Sequence, residues 1–343
     1  MANNIEISVG RQGWLGAGLE SEAGEAASLD KAIPFEDCSL SSQIETIDNE
    51  SAKGIRDASW GSAVQEHSGG GDLEVLADAE VAPFLLIPAL GDYSHEEITL
   101  SDGTADKHVI KRKASNPPQT ATYYYNNTVE LRQFTYATFE SLELSFSDEW
   151  VTLSGTVISR MPTTLDDGDD DYTDDPGFTD DYAFAFKDAN IYFVDDIDSD
   201  YDEDDEIKLS DFDITFNNET EAQYLSGSND PAEISYGEFS ADGSYTLFFD
   251  DVEERENLET QTKRGMIVEI KGDKIGEEDA TDGDDIYESI TVKIPAFRIT
   301  ERSIDTSPSD FVTENPSFVA DYDSDKGYSV KVEVINEAGE YMA

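Results

Sequence analysis

The same order of patterns occurs twice along this chain, and that repetition constrains the fold more than any other feature. In the front half, residues 35–40 are followed by a glycine-rich stretch at 69–71, an alternating strand at 72–76 and a short helix-prone segment at 78–86. The back half offers the matching order at 209–214, 237–249 and 250–258. Because period-two alternation is typical of half-buried strands, both halves predict antiparallel β-structure with one short helix packed against it. A chain with two copies of one module suits a closed symmetric assembly.

Alternation of apolar and polar residues predicts further strands. Leu142, Leu144 and Phe146 would share one face, a polar turn follows, and Val151 and Leu153 point back, which indicates a hairpin. Three segments of the back half show the same pattern, at 290–294, 297–299 and 330–334. The fold class predicted from these patterns is mainly β.

An acidic segment marks the predicted boundary between two modules. Residues 166–181 are too polar to bury and are broken by Gly and Pro. We therefore predict a first module with an N-terminal arm at 1–165, an acidic linker at 166–181, and a second module at 182–343. Two further acidic stretches, 195–206 and 276–285, are interpreted as insertions at strand ends that form solvated loops.

The charge of the chain indicates its environment. Lys and Arg number 22 against 78 Asp and Glu, which gives a net charge of −56. Self-repulsion at this density opposes a compact state at low salt, whereas the Debye length falls to about 3 Å in 1 M salt. The composition favours a protein of a halophilic archaeon or of its virus, with an acidic protein of an ordinary habitat as the alternative. Tight nucleic-acid binding is not expected, because Lys and Arg supply most of the affinity for phosphates.

No residue pattern predicts catalysis. His67, His95 and His108 lack the spacing of metal-binding motifs, and Cys38 has no second cysteine with which to form a disulfide. Neither a nucleophile elbow nor a phosphate-binding glycine loop is present. Carboxylate pairs have no diagnostic value among 78 acidic residues. We therefore predict a protein that is not an enzyme and needs no cofactor.

The acidic segment at 166–175 has an alternative interpretation as a calcium loop. Asp166, Asp169, Asp171 and Asp174 could supply oxygen ligands. The segment lacks the glycine and terminal Glu of an EF-hand at the required positions. A salt-adapted surface loop is therefore the main interpretation.

The sequence offers no segment for membrane insertion or export. Its N-terminus lacks the basic region and apolar run of a secretory signal, and its longest apolar stretch, at 81–90, contains two prolines. A bilayer-spanning helix needs about 20 apolar residues. We expect synthesis in the cytoplasm and no membrane segment.

One basic island interrupts the acidic sequence. It consists of Lys107, Lys111, Arg112 and Lys113, with His108 among them. These residues could end a strand and merely lower local repulsion. They could also form a projecting loop that docks on an acidic face of a neighbouring subunit. Both interpretations remain open from the sequence.

The ordered motifs resemble a tail tube protein, also called a major tail protein, of long-tailed viruses. The similarity covers most of the chain and lies in the segments 7–13, 49–56, 69–75, 81–91, 139–144, 153–157, 186–191, 212–218 and 224–227. The resemblance implies a virion structural protein of a non-contractile tail, here of a haloarchaeal tailed virus. It also implies two tandem tail-tube-type β-sandwich or barrel modules, each with a short flanking helix.

The resemblance further implies the assembly. Sheets of neighbouring modules would close into a barrel, three chains would form a pseudo-hexameric ring, and rings would stack into a tube; a ring of six chains is the alternative. Viral double-stranded DNA would pass through a negatively charged lumen without specific binding, with the acidic insertions outside. The expected partners are further copies, the tape-measure protein, tail-completion proteins and distal tail proteins. The expected location is the virion tail, assembled in the host cytoplasm.

Arms and loops would connect successive rings in such a tube. The N-terminal stretch to residue 18, rich in glycine, is interpreted as a flexible arm. The predicted candidate inter-ring contacts are Lys107, Lys111, Arg112, Lys113, Arg11 and Trp14.

A second class of function stays open from the sequence alone. The chain could be a secreted or surface β-sandwich adhesin or calcium-binding protein of a halophile. Calcium-dependent melting would favour that alternative. A hydrolase with an unrecognised carboxylate pair is the third hypothesis.

Overall fold

The computed structural model describes residues 12–51, 61–101, 103–147, 149–165, 178, 183–199, 201, 206–249, 252–278, 285–306 and 311–342. The chain is mainly β with antiparallel ladders, as predicted. The front half contains β1 (Trp14–Leu19), β2 (Lys31–Ile33), β3 (Asp37–Cys38), β4 (Ser41–Asp48), β5 (Ser62–Leu76), α1 (Ala82–Leu90), β6 (Gly91–Thr99), β7 (Thr104–Arg112), β8 (Ala121–Asn126), β9 (Leu131–Phe146), β10 (Val151–Ser159) and β11 (Thr163–Leu165). The back half contains β12 (Ala189–Val194), β13 (Glu206–Ile207), β14 (Leu209–Asn217), β15 (Glu221–Tyr224), β16 (Pro231–Ser235), β17 (Ser240–Phe248), α2 (Glu253–Thr260), β18 (Arg264–Glu277), β19 (Asp285–Asp305), β20 (Thr313–Ala320) and β21 (Lys331–Asn336).

One continuous sheet, called here the long sheet, runs through both halves of the chain. Its strand order is β4, β5, β10, β9, β14, β17, β20 and β19, with β3 pairing beside β4 on the same edge of β5. The two halves meet where β9 pairs with β14, from Phe146 opposite Phe212 to Ser141 opposite Asn217. The halves are therefore joined by a backbone ladder.

The order of strand pairings repeats between the halves. Outside the long sheet, β1 pairs with β8, β8 with β9 and β9 with β11. In the back half, β12 pairs with β18, β18 with β19 and β19 with β21. Both β9 and β19 are long enough to belong to two sheets, with their C-terminal parts in the long sheet. The predicted module limits at 1–165 and 182–343 remain a prediction.

A hairpin of the front half crosses to the back half. β6 pairs with β7, and β7 pairs with β21 from Lys111 opposite Lys331 to Asp106 opposite Asn336. Lys107, Lys111 and Arg112 therefore lie within a strand, so the hypothesis of a projecting loop is wrong in that respect. The physical reason is that His108 and Ile110, which alternate with the cations, are fully buried.

Helix α1 is a buried, wholly apolar helix. The Asp78 carboxylate accepts hydrogen bonds from the N–H groups of Glu80 at 2.8 Å and Val81 at 2.6 Å and so organises the turn before the helix, whereas the N-cap position itself is Val81. Gly91 ends it in the left-handed region, with φ of 88°. Every residue of α1 is buried. A helix that is apolar on all sides is expected between two layers.

Helix α2 is acidic and is held by an ion pair. Its Glu254 carboxylate accepts two hydrogen bonds of 2.8 Å from the guanidinium of Arg264. The same guanidinium lies 4.5 Å from the centre of the Phe193 ring and 5.2 Å from that of Phe297. Both bonds come from Nη2 of Arg264, and because Glu254 is itself buried, this charge-assisted pair fixes α2 on the sheet.

The C-terminal segment packs on the front half through a buried polar cluster. Asn336 accepts a hydrogen bond from His108 Nε2 at 2.9 Å, and the Asn336 amide donates to the Ala79 carbonyl at 2.7 Å. The Tyr341 hydroxyl donates to the Glu80 carbonyl at 3.1 Å. Burial lowers the pKa of His108, and nearby His95 adds to that shift, while the Asn336 contact and Asp106 oppose it. Neutral His108 thus suits the folded state.

Candidate functional site: the polar face of the long sheet

The two faces of the long sheet differ in chemistry. On one face Leu142, Leu144, Phe212, Ile214 and Phe216 are buried in the core. The opposite face is lined largely by acidic, hydroxyl and amide side chains, among them Asp72, Glu74, Ser141, Glu143, Ser145, Thr152, Ser154, Thr156, Asp211, Asp213, Thr215, Asn217, Asp242, Ser244, Thr246, Asn315, Ser317, Glu301, Ser303 and Asp305. Strict alternation along each strand produces this separation.

Neighbouring side chains on this polar face bond to one another across the strands. The hydrogen bonds are Thr156 Oγ1 to Asp72 Oδ1 at 2.9 Å, Ser145 Oγ with Thr152 Oγ1 at 2.9 Å, Thr215 Oγ1 to Glu143 Oε2 at 3.3 Å, Asn217 Nδ2 to Asp242 Oδ1 at 3.1 Å, and Thr246 Oγ1 to Asn315 Oδ1 at 2.7 Å. Ser244 also bonds to Asp213 through its hydroxyl and, at 3.1 Å, its N–H. Because these side chains are short and bonded to one another, few of them project far from the sheet.

The polar face is negatively charged. Within the strand spans 72–76, 141–146, 152–156, 211–217, 242–248, 301–305 and 313–317, all of them described, Arg302 is the basic residue. Its guanidinium turns to the other side of the sheet, where it ion-pairs with buried Glu314. The side chains of these spans that line the polar face therefore include carboxylates and no cation. The face repels polyanions rather than binding them.

Cations gather on a different sheet. The ammonium groups of Lys107, Lys293 and Lys331 lie 3.2, 3.1 and 2.7 Å from the carboxylate of Glu333. Burial acts to raise the pKa of Glu333, but the hydrogen bond from Lys331 and the three positive charges outweigh it and lower the pKa to about 2. This cluster ties the β7 hairpin to β19 and β21.

The predicted contact residues do not form one site. Lys111 Nζ lies 5.3 Å from the centre of the Tyr328 ring, and Arg112 Cζ lies 5.8 Å from that of Phe239. The Lys113 N–H donates to the Leu90 carbonyl at 2.6 Å. Trp14, in β1, is only 4% exposed, so its side chain packs within its own chain. The prediction of a flexible arm is wrong for residues 14–18, because they form a buried strand paired with β8. Arg11 and the calcium-loop residues at 166–175 lie outside the described residues.

Both outer edges of the long sheet are open within the described part of the chain. β3 and β4 pair with β5 on one side only. The last part of β19, from Glu301 to Asp305, pairs with β20 on one side only. Open edges of this length invite pairing with another strand. The edges could not be predicted from the sequence, because strand order is set by distant pairings. The alternation of Asp211, Asp213, Thr215 and Asn217 with apolar residues could have indicated the polar face.

The described residues offer little that favours other classes of site. They contain no group of three or more His, Cys, Asp and Glu side chains able to hold a metal ion. No helix within the described ranges has the length and apolarity required to cross a membrane. The long sheet and its edges are therefore the features that need a functional explanation.

Comparisons with known proteins bear on that explanation. A family model described as phage tail tube protein matches residues 10–293, which is more than half of the chain. A search of curated proteins gives no match. One solved structure, "Crystal structure of Hcp protein", is 14% identical over 43% of this chain and 98% of its own, with a TM-score of 0.22. A likeness at that score carries no argument about fold or function.

Proposed function

Because this chain belongs to the phage tail tube protein family, a class of structural proteins and not of enzymes, we propose that its copies join edge to edge into rings. The rings stack into the tail tube, and the polar face of the long sheet lines the channel through which viral DNA reaches the host. The observation that carries this proposal is the ladder between β9 and β14, since it joins two similar sets of strands within one chain.

The internal ladder is a template for contact between copies. β9 is the last strand of the front set, and its counterpart in the back set is β19. β14 is the first strand of the back set, and its counterpart is the β3–β4 edge. The same joint between copies therefore pairs β19 of one chain with β3 and β4 of the next. A head-to-tail contact of this kind closes into a ring when its rotation allows.

The registers of the two sets define the expected pairing. In the front half, Thr152 pairs with Leu76 on one side and with Ser145 on the other. In the back half, Thr313 pairs with Phe248 and Asp305 in the same way. Phe146, one residue after Ser145, therefore corresponds to Thr306. Leu73 pairs with Cys38 as Tyr245 pairs with Phe212. Because Phe146 lies opposite Phe212, the joint between copies would place Thr306 opposite Cys38.

The resemblance to tail tubes suggests the number of copies. Each chain contributes two sets of four strands to the long sheet, and tube proteins with a single module use six chains. We therefore propose a ring of three chains with pseudo-sixfold symmetry, with a ring of six chains as the alternative. The molar-salt habitat inferred from the net charge of −56 belongs to the same proposal, as does assembly in a haloarchaeal host.

The channel wall would act by repulsion. Its carboxylates keep the DNA phosphates from binding, and its short hydroxyl side chains give a low surface over which the duplex slides. Replacing Ser145, Ser244 and Ser317 with Lys should leave tubes intact but slow genome ejection, because each ammonium group attracts phosphate. Replacing the same residues with Gln is the matched control. Equal ejection kinetics for the two triple variants would contradict the role of the wall charge.

Contact between successive rings requires a surface at the ends of the strands. The hairpin of β4 and β5 extends beyond the strands that pair with its base and exposes Ile44 at 56%, Ile47 at 54% and Val64 at 45%. A two-stranded ribbon with exposed apolar side chains is marginal alone and gains stability from a partner. We propose that this hairpin reaches the next ring. The contacts predicted for Lys107, Lys111, Arg112, Lys113, Arg11 and Trp14 remain predictions.

Electron microscopy of the purified chain tests the function most simply. In molar salt we expect annular particles and hollow tubes, because screening lets the acidic copies approach. Dispersed monomers across salt and protein concentrations would contradict the proposal. Binding of tape-measure, tail-completion and distal tail proteins would be tested afterwards on tubes so formed.

A further inference from the structure

Just beyond the last paired residues of β5 and β10, a third backbone segment inserts between the two strands. The pair of residues at this position, Ala77 and Val151, is called here the terminal rung of the front half. The Ala77 N–H donates to the Val151 carbonyl at 2.9 Å, but the Val151 N–H turns instead to the Phe184 carbonyl at 2.9 Å. The Phe184 N–H then donates to the Ala77 carbonyl, also at 2.9 Å. Phe184 comes from the segment just before β12, and its side chain is fully buried. One backbone segment thus fills the opened rung.

The matching rung of the back half is open and unfilled within the described residues. Phe249 corresponds to Ala77 and Val312 to Val151, because Leu76 pairs with Thr152 as Phe248 pairs with Thr313. The Phe249 N–H donates to the Val312 carbonyl at 3.0 Å. Among the described residues, neither the Val312 N–H nor the Phe249 carbonyl has a backbone partner. The donor and acceptor that Phe184 uses in the front half are therefore available here.

Exposed apolar surface surrounds this open rung. Val312 is 39% exposed, whereas its counterpart Val151 is fully buried. Phe248 is 55% and Phe311 76% exposed, and their rings lie 5.9 Å apart at 87°. Apolar side chains clustered on the surface of so acidic a chain mark a contact site. The added segment should therefore bring apolar side chains as well as backbone groups.

We propose that the open rung at Phe249 and Val312 binds the segment preceding β1, residues 5–9, of another copy of this chain. The filler in the front half precedes β12, and β12 corresponds to β1 because it pairs with β18 as β1 pairs with β8. The sequence Ile-Glu-Ile-Ser-Val at 5–9 alternates apolar and polar residues, as strand addition to a sheet edge requires.

The added segment comes from a second copy, because each set of strands receives its segment from the set that follows it in the long sheet. The ladder between β9 and β14 places the segment before β12 at the rung of the preceding set of strands. The same joint between copies would place the segment before β1 at the back rung of the neighbouring chain. This inference rests on the proposed ring and adds a strand exchange that locks each copy to the next.

The register predicts a specific pair of residues. Trp150 forms an isolated bridge with Ala185 in the front rung. Trp150, which precedes Val151, corresponds to Phe311. Arg264 pairs with Phe297 as Ala121 pairs with Ala137, so β18 corresponds to β8. Val194 pairs with Gly265 as Gly18 pairs with Thr122, so Val194 corresponds to Gly18. Counting back nine residues from each, Ala185 corresponds to Val9. Val9 of one copy should therefore lie opposite Phe311 of the next.

Disulfide trapping in mixed samples tests this pair. Two variants, Val9→Cys and Phe311→Cys, each in a Cys38→Ser background, are mixed in molar salt and oxidised. We expect a covalent dimer with a yield at least about tenfold above that of a control mixture, because docking raises the local thiol concentration to roughly millimolar. The control pairs Val9→Cys with Val129→Cys, whose native side chain is 82% exposed.

The outcomes separate this inference from the proposed function. Rings in the microscope with a yield equal to the control would overturn the strand exchange and leave the rings standing. With both cysteines in one chain, a disulfide within the monomer would show that the segment folds back on its own copy, which also overturns it. Absence of rings from the unmodified protein would contradict both proposals.

Truncation gives a second readout. Deleting residues 2–10 should leave the thermal unfolding of the monomer at low concentration unchanged and raise the protein concentration needed for half-assembly about tenfold. Unchanged assembly of the truncated chain would contradict the exchange. The variant Val129→Ala, which alters an exposed residue of the front half, is the control for handling and purity.

Discussion

The two halves of this chain share a pattern of strand pairing but differ in what completes it. In the front half, the last strand of the long sheet is paired by β14 and the terminal rung is filled by Phe184. In the back half, β19 has an open edge and the corresponding rung is unfilled among the described residues. One joint is thus made within the chain, and its counterpart is the one that we propose to form between copies. Changes at the first should affect folding, and changes at the second should affect assembly.

Salt should separate the two joints most strongly. Lowering salt from 2 M toward about 0.1 M restores repulsion between chains that each carry −56, and should weaken assembly by more than about 100-fold. The internal ladder is covalently tethered, so its loss should require further dilution of salt. Light scattering and circular dichroism measure the two events. Coincident transitions would contradict the distinction.

A large-to-small change at the internal joint should cost folding. Phe212 is fully buried and its ring lies 5.2 Å from that of Phe146 on the facing strand. Phe212→Ala should lower the free energy of unfolding by about 3–5 kcal/mol through lost burial and a cavity. The exposed Phe248→Ala is the matched control, with a loss below about 0.5 kcal/mol in the monomer. Chemical denaturation measures both, and equal losses would show that the joint is not part of the core.

Acid should loosen the contact between the β7 hairpin and the back half. The pKa of Glu333 is about 2 in the folded state against 4.5 for the free group, so the folded state favours the carboxylate. Its stabilising contribution, of the order of 3 kcal/mol, is present above pH 4.5 and is lost as pH falls toward 2. Denaturation midpoints between pH 5 and 3 measure this effect. Glu333→Gln should flatten that slope; an unchanged slope would assign the acid sensitivity to other carboxylates.

A smaller effect is expected nearer neutrality from His108. Because its pKa is lowered in the folded state, the unfolded chain binds a proton more readily, and stability should fall as pH decreases below 6.5. The neighbouring groups are Tyr93, His95, Asp106 and Tyr341. NMR titration of the imidazole in the folded protein measures the effect directly. A His108 pKa above 6.5 would reverse the predicted direction.

Much of the local structure was predictable from sequence. The hairpin of β9 and β10 was predicted from alternation. A short helix was predicted at 78–86 and another at 250–258, whereas α1 spans Ala82–Leu90 and α2 spans Glu253–Thr260. β19 was predicted as separate segments, since Pro295 interrupts the pattern. The structure accommodates Pro295 where the register shifts, as β19 exchanges β18 for β20.

The site was less predictable, for two physical reasons. A polar strand face looks the same in sequence whether it meets bulk water or lines a channel, so Asp213 and Thr215 carry no local mark of their place. Strand order depends on pairings such as β9 with β14, whose members are far apart in the sequence. The prediction of a projecting loop at 107–113 was wrong because it was based on the basic residues alone. The buried His108 and Ile110 among them show the alternation of a strand.

Trapping Cys38 against a cysteine at position 306 tests the central claim most directly. Burial raises the pKa of Cys38 to about 12, so a copper–phenanthroline oxidant is needed. Paired residues in adjacent strands have Cα atoms about 5.5 Å apart, within disulfide reach. The account predicts that oxidised Thr306→Cys yields covalent oligomers up to a closed ring, whereas Ser303→Cys does not. Oligomers from neither variant, in samples that form rings, would contradict the joint between β19 and the β3–β4 edge.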